Sequence, residues 1–285
     1  MDYVFMMDSD SDLPFDLKEK YDIPVVYMPY ALEGKEYFDD LGQTLDHKSY
    51  FDRMRNGAVP VTSALNEATY IDYFEPILKE KDLLFVAFSS KLSSTIQAAQ
   101  AARATLLEKY PNRKLIIVDT LSISMPLTLL ALKAHELYRG GAPIEEVADW
   151  LEKNKLRAQG WFTVDDLKYL KRGGRISTAT ALLGTALNVK PVLHVDDEGH
   201  LVKMSQTHGR KKSIRLMAEH LGETIRDGSP IIISHADCLK DAELLVKILK
   251  EEYGRDTTLI TEIGSVIGAH AGPGTLALFF LGSHR

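Results

Sequence analysis

Residues 83–99 read LLFVAFSSKLSSTIQAA, and the order of residue types in this stretch decides the fold. Leu83 to Phe88 is an unbroken apolar run of strand length, as expected for a strand buried on both faces. From Ser94 onward, small and straight-chain residues favour a helix. Ser89, Ser90, Ser93, Ser94 and Thr95 occupy the turn between them. A buried strand that runs into a helix start is where α/β proteins hold ligands. Hydroxyls and free N–H groups converge there, and the helix dipole favours negative charge. One or two serines would serve as caps and turn formers. Five hydroxyls in seven positions exceed what capping requires, so a ligand role stands beside the capping role.

The flanking segments repeat the strand-then-helix order. Tyr3 to Met7 is strand-like and runs into Asp8-Ser9-Asp10-Ser11-Asp12, with Pro14 opening a short helix. Residues 25–30 read as a second strand, 32–35 as a turn, and 46–55 as a helix stopped by Gly57. An extended segment over 59–63 then delivers Thr62 and Ser63 to the start of a helix over 67–79. A strand at 115–118 and helices over 125–138 and 143–154 complete the first half. The second half starts with a strand at 160–164, a short helix at 167–170 and the basic glycine turn Lys171-Arg172-Gly173-Gly174-Arg175. Ser177 can cap a small-residue helix ending near Asn188, and Asp196-Asp197-Glu198-Gly199 marks a hairpin. Helices over 211–225 and 241–252 alternate with strands at 231–234 and 258–263. The tail at 264–274 is glycine-rich around His270, and a last strand runs 276–281. The fold class is α/β, in two domains spanning 1–157 and 158–285. Parallel or mixed sheets carry helices on both faces, and the halves meet over a cleft.

Composition narrows the function classes. The chain has 285 residues and a net charge of −6, against the basic face that nucleic-acid binding requires. A single cysteine, Cys238, rules out an internal disulfide framework and suits a reducing compartment. The acidic start MDYVFMMDSDSD lacks the positive segment of a signal peptide, and no apolar run reaches membrane-spanning length. A cytoplasmic protein without stable membrane insertion is expected.

Few motifs carry chemistry on their own. Asp8 and Asp10 directly after a strand resemble half of the aspartate-nucleophile phosphatase signature, which makes a small hydrolase or phosphatase the alternative function. As a strand-end turn, the same segment needs no catalytic role. Phosphate-binding glycine loops, zinc-ligand spacings and the GxSxG elbow do not occur, so no metal or cofactor is implied. A triad could be drawn from Ser93 or Ser94 with His270 and an aspartate, but nine histidines make such sets common. His270 lies among glycines that permit close approach to a ligand; a surface turn would also explain it. Lys171, Arg172 and Arg175 form one basic patch. Arg210, Lys211 and Lys212 form another at a helix start, where the dipole disfavours cations and an anionic partner is suggested.

Together the motifs resemble the DegV family of bacterial fatty-acid-binding proteins. The matching pieces are DSDSDLP near the start, VTS at 61–63, FSSKLSSTIQAA at 88–99 and VDT at 118–120. FTVDDLKYLKRGGRIS at 162–177, LNVKPVLHVDDEG at 187–199 and IGSVIGAHAGPG at 263–274 continue the series. The resemblance implies a long apolar tunnel at the domain junction, occupied by a long-chain fatty acid. It implies that Thr62, with Ser63 beside it, meets the ligand carboxylate. It places Ser93, with Ser94 next to it, in the same role, and His270 with Gly272 near the head group. Ala64 stands where the family usually has proline, and Ser94 where it usually has glycine. By the same resemblance the protein is a non-catalytic carrier that presents the acid to a separate ATP-dependent fatty acid kinase, with Arg175 and Arg210 as docking candidates. Residues 60–80 are then expected near the second half, because Thr62 must meet both Ser93 and His270. About 15 buried methylenes would contribute roughly 12 kcal/mol gross at about 0.8 kcal/mol each, less the cost of association. The tail would therefore supply affinity and the hydroxyls orientation.

Overall fold

Tyr3–Asp8 (β1) forms an inner strand of a four-stranded sheet in the computed structural model, which describes residues 2–177, 188–226 and 228–285. Its neighbours are Val25–Val26 (β2) on one side and Asp82–Ala87 (β6) on the other, with Leu115–Asp119 (β7) beyond β6; every pairing is parallel. Leu83 to Ala87 are fully buried, as a continuous apolar run in a parallel sheet demands. The helices Phe15–Tyr21 (α1), Glu67–Leu78 (α3), Thr95–Lys109 (α4), Met125–Arg139 (α5) and Ile144–Asn154 (α6) accompany this sheet.

The second sheet is mixed, with the order β10-β9-β8-β13-β11-β12. It comprises Ala158–Thr163 (β8), Val189–Val195 (β9), Leu201–His208 (β10), Ile232–His235 (β11), Leu259–Glu262 (β12) and Leu276–Leu281 (β13). Only β11 and β12 pair in parallel. Side chains alternate across it with period two. Trp161, Leu276, Leu278 and Phe280 pack toward the helices Arg210–Thr224 (α8) and Leu239–Tyr253 (α9), while Phe162, Ala277 and Phe279 point the other way. The hairpin expected at 196–199 joins β9 to β10. The parallel sheet uses only residues before 120 and the mixed sheet only residues after 157.

The structure departs from the sequence reading in two places. The predicted strand at 25–30 is broken: β2 ends at Val26, and Pro29–Leu32 (β3) enters a separate antiparallel sheet with Lys35–Phe38 (β4) and Val61–Thr62 (β5). The break is fixed at Met28, whose N–H donates to Ser9 Oγ at 3.0 Å. The turn at 32–35 is thus the tip of a hairpin whose second strand the sequence reading lacked. The glycine-rich stretch 264–274, given no element from sequence, contains a helix, Ser265–Ala271 (α10). Two distant carboxylates make that helix possible: Asp12 accepts the Gly264 N–H at 2.9 Å and Asp39 the Val266 N–H at 3.0 Å. They satisfy first-turn donors that no local side chain caps. Gly268 is required on this helix, because a Cβ there would lie 2.7 Å from the Phe51 ring on His47–Arg55 (α2). The helix expected after Ser177 lies outside the described residues.

The segment at 60–80 divides its contacts. α3 packs on α4 and β6, whereas β5 pairs with Tyr30 and Ala31 and carries Thr62 against α10. Further ties cross between the halves: Tyr50 Oη donates to the Ser265 carbonyl at 2.7 Å and Ser89 Oγ to the Gly199 carbonyl at 3.1 Å. Among the described residues, no helix is long and apolar enough to cross a membrane.

Candidate functional site

Three strand ends of the parallel sheet open toward one place. Asp10 follows β1, Phe88 to Ser94 follow β6, and Ile123 and Ser124 follow β7. This is the carboxyl edge, where open α/β sheets bind ligands. Opposite stands the inward face of the mixed sheet, with Phe162, Val195, Ala277 and Phe279. Between them lies a cavity of about 300 Å³, closed along its side by α10 and β5. That size falls at the lower end of ligand pockets. Its wall is largely apolar, and its polar groups include Thr62, Ser63, Ser93, Ser94, Arg175 and His270.

The five hydroxyls of the serine turn divide by task. Ser89 is fully buried and spent on Gly199. Thr95, also buried, lies against the Leu65 N–H and the Tyr70 hydroxyl at 3.3 Å each, holding α3 to α4. Ser90 donates its N–H to Asp119 Oδ1 at 3.3 Å and does not line the cavity. Ser93 and Ser94 do line it. Ser93 Oγ accepts the Thr95 N–H at 3.2 Å, leaving its own O–H to donate, while Ser94 at the N-cap of α4 makes no side-chain cap. Ser93 thus both accepts a helix-start N–H and lines the cavity, whereas Ser94 lines the cavity without capping.

His270 sits near the end of α10 with Nε2 2.8 Å from Thr62 Oγ1. Burial, with help from Arg175 and Arg172, pulls its pKa down to about 4, so the ring is neutral at pH 7. Nδ1 is buried and has no partner among the described residues, and a Cβ at Gly173 would lie 2.1 Å from it. Gly173 is thus the residue that lets α7 (Lys168–Arg172) end against the imidazole. No carboxylate orients this histidine among the described contacts, so it does not form the triad considered from sequence. Several hydroxyls, with the neutral imidazole paired to Thr62, instead offer hydrogen-bond donors to an anion.

Two other sequence-chosen residues have a different place. Gly272 is not in the cavity wall; a Cβ there would lie 2.2 Å from Tyr169, and its φ of +82° ends α10. Arg210 is not a free surface cation. Its Nε holds Asp241 at 2.8 Å and Nη2 donates to the Gly274 carbonyl at 2.5 Å, which pins α8 to α9 and to the turn before β13. Arg175 is in the cavity wall, with Nε donating to the Leu92 carbonyl at 3.0 Å and Nη1 to the Gly173 carbonyl. By the family resemblance it was a docking candidate. The glycine pair that frees Nδ1 of His270 also turns the chain so that Arg175 faces inward.

Asp8 is fully buried, accepts the Phe88 N–H at 2.9 Å and stays out of the cavity wall. Burial raises its pKa, so its carboxyl holds a proton more readily than an ordinary aspartate. A nucleophilic aspartate needs the opposite: exposure to substrate and a stable carboxylate. The geometry here suits holding a ligand rather than attacking one.

Comparison with known proteins shows the family. The family model described as "Uncharacterised protein, DegV family" matches residues 4–283. A DegV domain-containing protein of Clostridium perfringens is 39% identical over 286 residues, covering 99% of this chain and 98% of that one. A Thermus thermophilus DegV family protein, solved in connection with fatty acid binding, aligns with a TM-score of 0.86 at 30% identity, over 99% of this chain and 100% of that one. DegV of Bacillus subtilis, described as a fatty acid binding protein, aligns with a TM-score of 0.84 at 27% identity, over 99% and 100%. The chain belongs to the DegV family.

Proposed function

We propose that this protein binds a long-chain fatty acid in the cavity between its two sheets and acts as a carrier rather than an enzyme. One observation carries the reading: the cavity wall is apolar on the mixed-sheet side and gathers hydroxyls, a neutral histidine and an arginine on the other. An amphiphile with one anionic end matches that division. Thr62 and Ser93 donate to the carboxylate, Ser63 and Ser94 flank them, and His270 holds Thr62 in place through the 2.8 Å contact. The Arg175 guanidinium balances the charge from the wall. Fatty acid binding by the Thermus and Bacillus relatives supports the same ligand class.

Native mass spectrometry of the purified protein, offered stearate, tests the reading directly. A bound mass of one fatty acid per chain is expected, and protein that stays ligand-free overturns it. Thr62→Ala with Ser93→Ala should weaken binding of the acid about 30-fold, at roughly 1 kcal/mol net per lost hydrogen bond. An alkane of equal length, which uses only the apolar wall, should change less than about threefold.

A carboxylate held by donors at a rim is positioned for transfer of a phosphoryl group by a second protein. On this reading the carrier presents its acid to an ATP-dependent fatty acid kinase that forms the acyl-phosphate. Arg210 is committed elsewhere, so docking falls to the exposed cations Lys91 and Lys171, which flank the Leu92–Arg175 contact at the rim. Reversing both charges should slow kinase-dependent phosphorylation about tenfold, an effect on encounter, while acid affinity stays within about twofold. Unchanged phosphorylation would remove these lysines from the interface.

A further inference from the structure

The cavity wall holds one carboxyl that the head-group reading does not use. Asp10 lines the cavity and is only 4% exposed, and its Oδ1 has no partner among the described residues. It is the one acidic side chain in the described wall. Its backbone is fixed from several sides. The Ser124 N–H donates to the Asp10 carbonyl at 2.8 Å, and Thr128 Oγ1 donates to the Ser11 carbonyl at 2.8 Å. The short turn Ser9–Ser11 is therefore clamped to the start of α5, with all three residues buried.

Ser124 stands beside it in the wall and is itself 4% exposed. Its φ of 59° and ψ of −145° lie in a region that glycine occupies readily and serine does not. Its N–H serves Asp10 and its hydroxyl donates to Asp12, so its oxygen can still accept a hydrogen bond. A plain methylene chain would leave Asp10 desolvated and unpaired, where an apolar residue would make a better wall. Burial, with the nearby charges of Asp8, Asp39 and Asp12, pushes the Asp10 carboxyl well above the ordinary aspartate range and favours its neutral form, while Arg175 pulls the other way. A neutral carboxyl both donates and accepts, as an alcohol does.

We propose that Asp10 and Ser124 form a second polar subsite in the tunnel wall, which takes an in-chain hydroxyl of an oxygenated fatty acid. The proposal rests on the acyl chain lying in this cavity. A site built to pair a hydroxyl discriminates against the ligand that lacks it, because its own polar groups are then left unpaired.

Displacement of a fluorescent fatty acid by stearate, and by hydroxystearates with the hydroxyl at successive chain positions, tests it. One positional isomer should bind about tenfold tighter than stearate. Asp10→Leu should erase that preference and tighten stearate, whereas Asp10→Asn, which still donates and accepts, should keep it. If Asp10→Leu fails to fold, Asp10→Ala and the positional profile of the unaltered protein decide the matter. Stearate binding with no isomer preferred overturns the subsite and leaves the fatty-acid tunnel standing. If neither stearate nor any hydroxystearate binds, the tunnel reading fails and the subsite with it.

Discussion

Ala277→Phe should lower the affinity for stearate by two to three decades while leaving a decanoate-sized acid within about threefold. Ala277 lies on β13 between Phe162 and Ser234 on the neighbouring strands, and it forms part of the cavity wall. The ring enters space that the acyl chain needs and excludes about five methylenes, each contributing about 0.8 kcal/mol. The sum, about 4 kcal/mol, is nearly three decades at about 1.4 kcal/mol per tenfold; partial rearrangement of the chain explains the lower bound. The short acid keeps its head-group contacts and does not reach the obstruction. Because the ring fills a cavity rather than a close-packed core, stability should change by less than about 1.5 kcal/mol. Titrations of both acids against both proteins check it. Equal loss for long and short acids would mean that the ring disturbs the head group. No loss for either would place the chain away from β13.

The serine turn was the most legible part of this molecule. A continuous apolar run followed by hydroxyls is local information, and the strand and helix it predicts are β6 and α4. The gathering of Thr62, Ser63, Ser93, Ser94 and His270 around one cavity was reached through the family resemblance, since no spacing in the chain links positions 62 and 270. What escaped was tertiary in origin. Glycines 264, 268, 272 and 274 look like a loop to any local reading. They form and end a helix because Asp12 and Asp39 cap it and Phe51 presses against Gly268, all from more than two hundred residues away. Arg175 was read by composition as an outward cation, and only the turn at Gly173-Gly174 directs it inward. Arg210 sits unfavourably at a helix start, and the suggested partner for it is internal, in Asp241.

The aspartates that cap α10 make a second large effect measurable, the pH dependence of Asp12→Asn. Asp12 accepts the Gly264 N–H and the Ser124 hydroxyl, with Asp39 and His47 also facing it. Burial is the main cause that lifts its pKa from 3.8 to about 7, outweighing the two hydrogen bonds. A carboxyl whose folded-state pKa is raised stabilises the fold fully below about pH 4, and that contribution fades as pH rises through about 7. Asparagine has the shape and neutrality of the protonated acid and does not titrate. Relative to the natural protein, Asp12→Asn should therefore gain stability as pH goes from about 4 to about 8, by up to about 4 kcal/mol at about 1.4 kcal/mol per pH unit. His270 and His194, whose pKa values are pulled down to about 4 chiefly by burial, act in the opposite sense. Their neutral forms stabilise the fold above about pH 6.5, and that contribution is lost as pH falls through about 4. Both proteins share those histidines, so the difference between them isolates Asp12. Denaturant unfolding of the two at matched pH values measures it. A difference that stays flat from pH 4 to 8 would show that Asp12 keeps one charge state throughout. A difference that grows with pH would show that the same buried carboxyl which builds the helix under His270 also costs the fold stability at neutral pH.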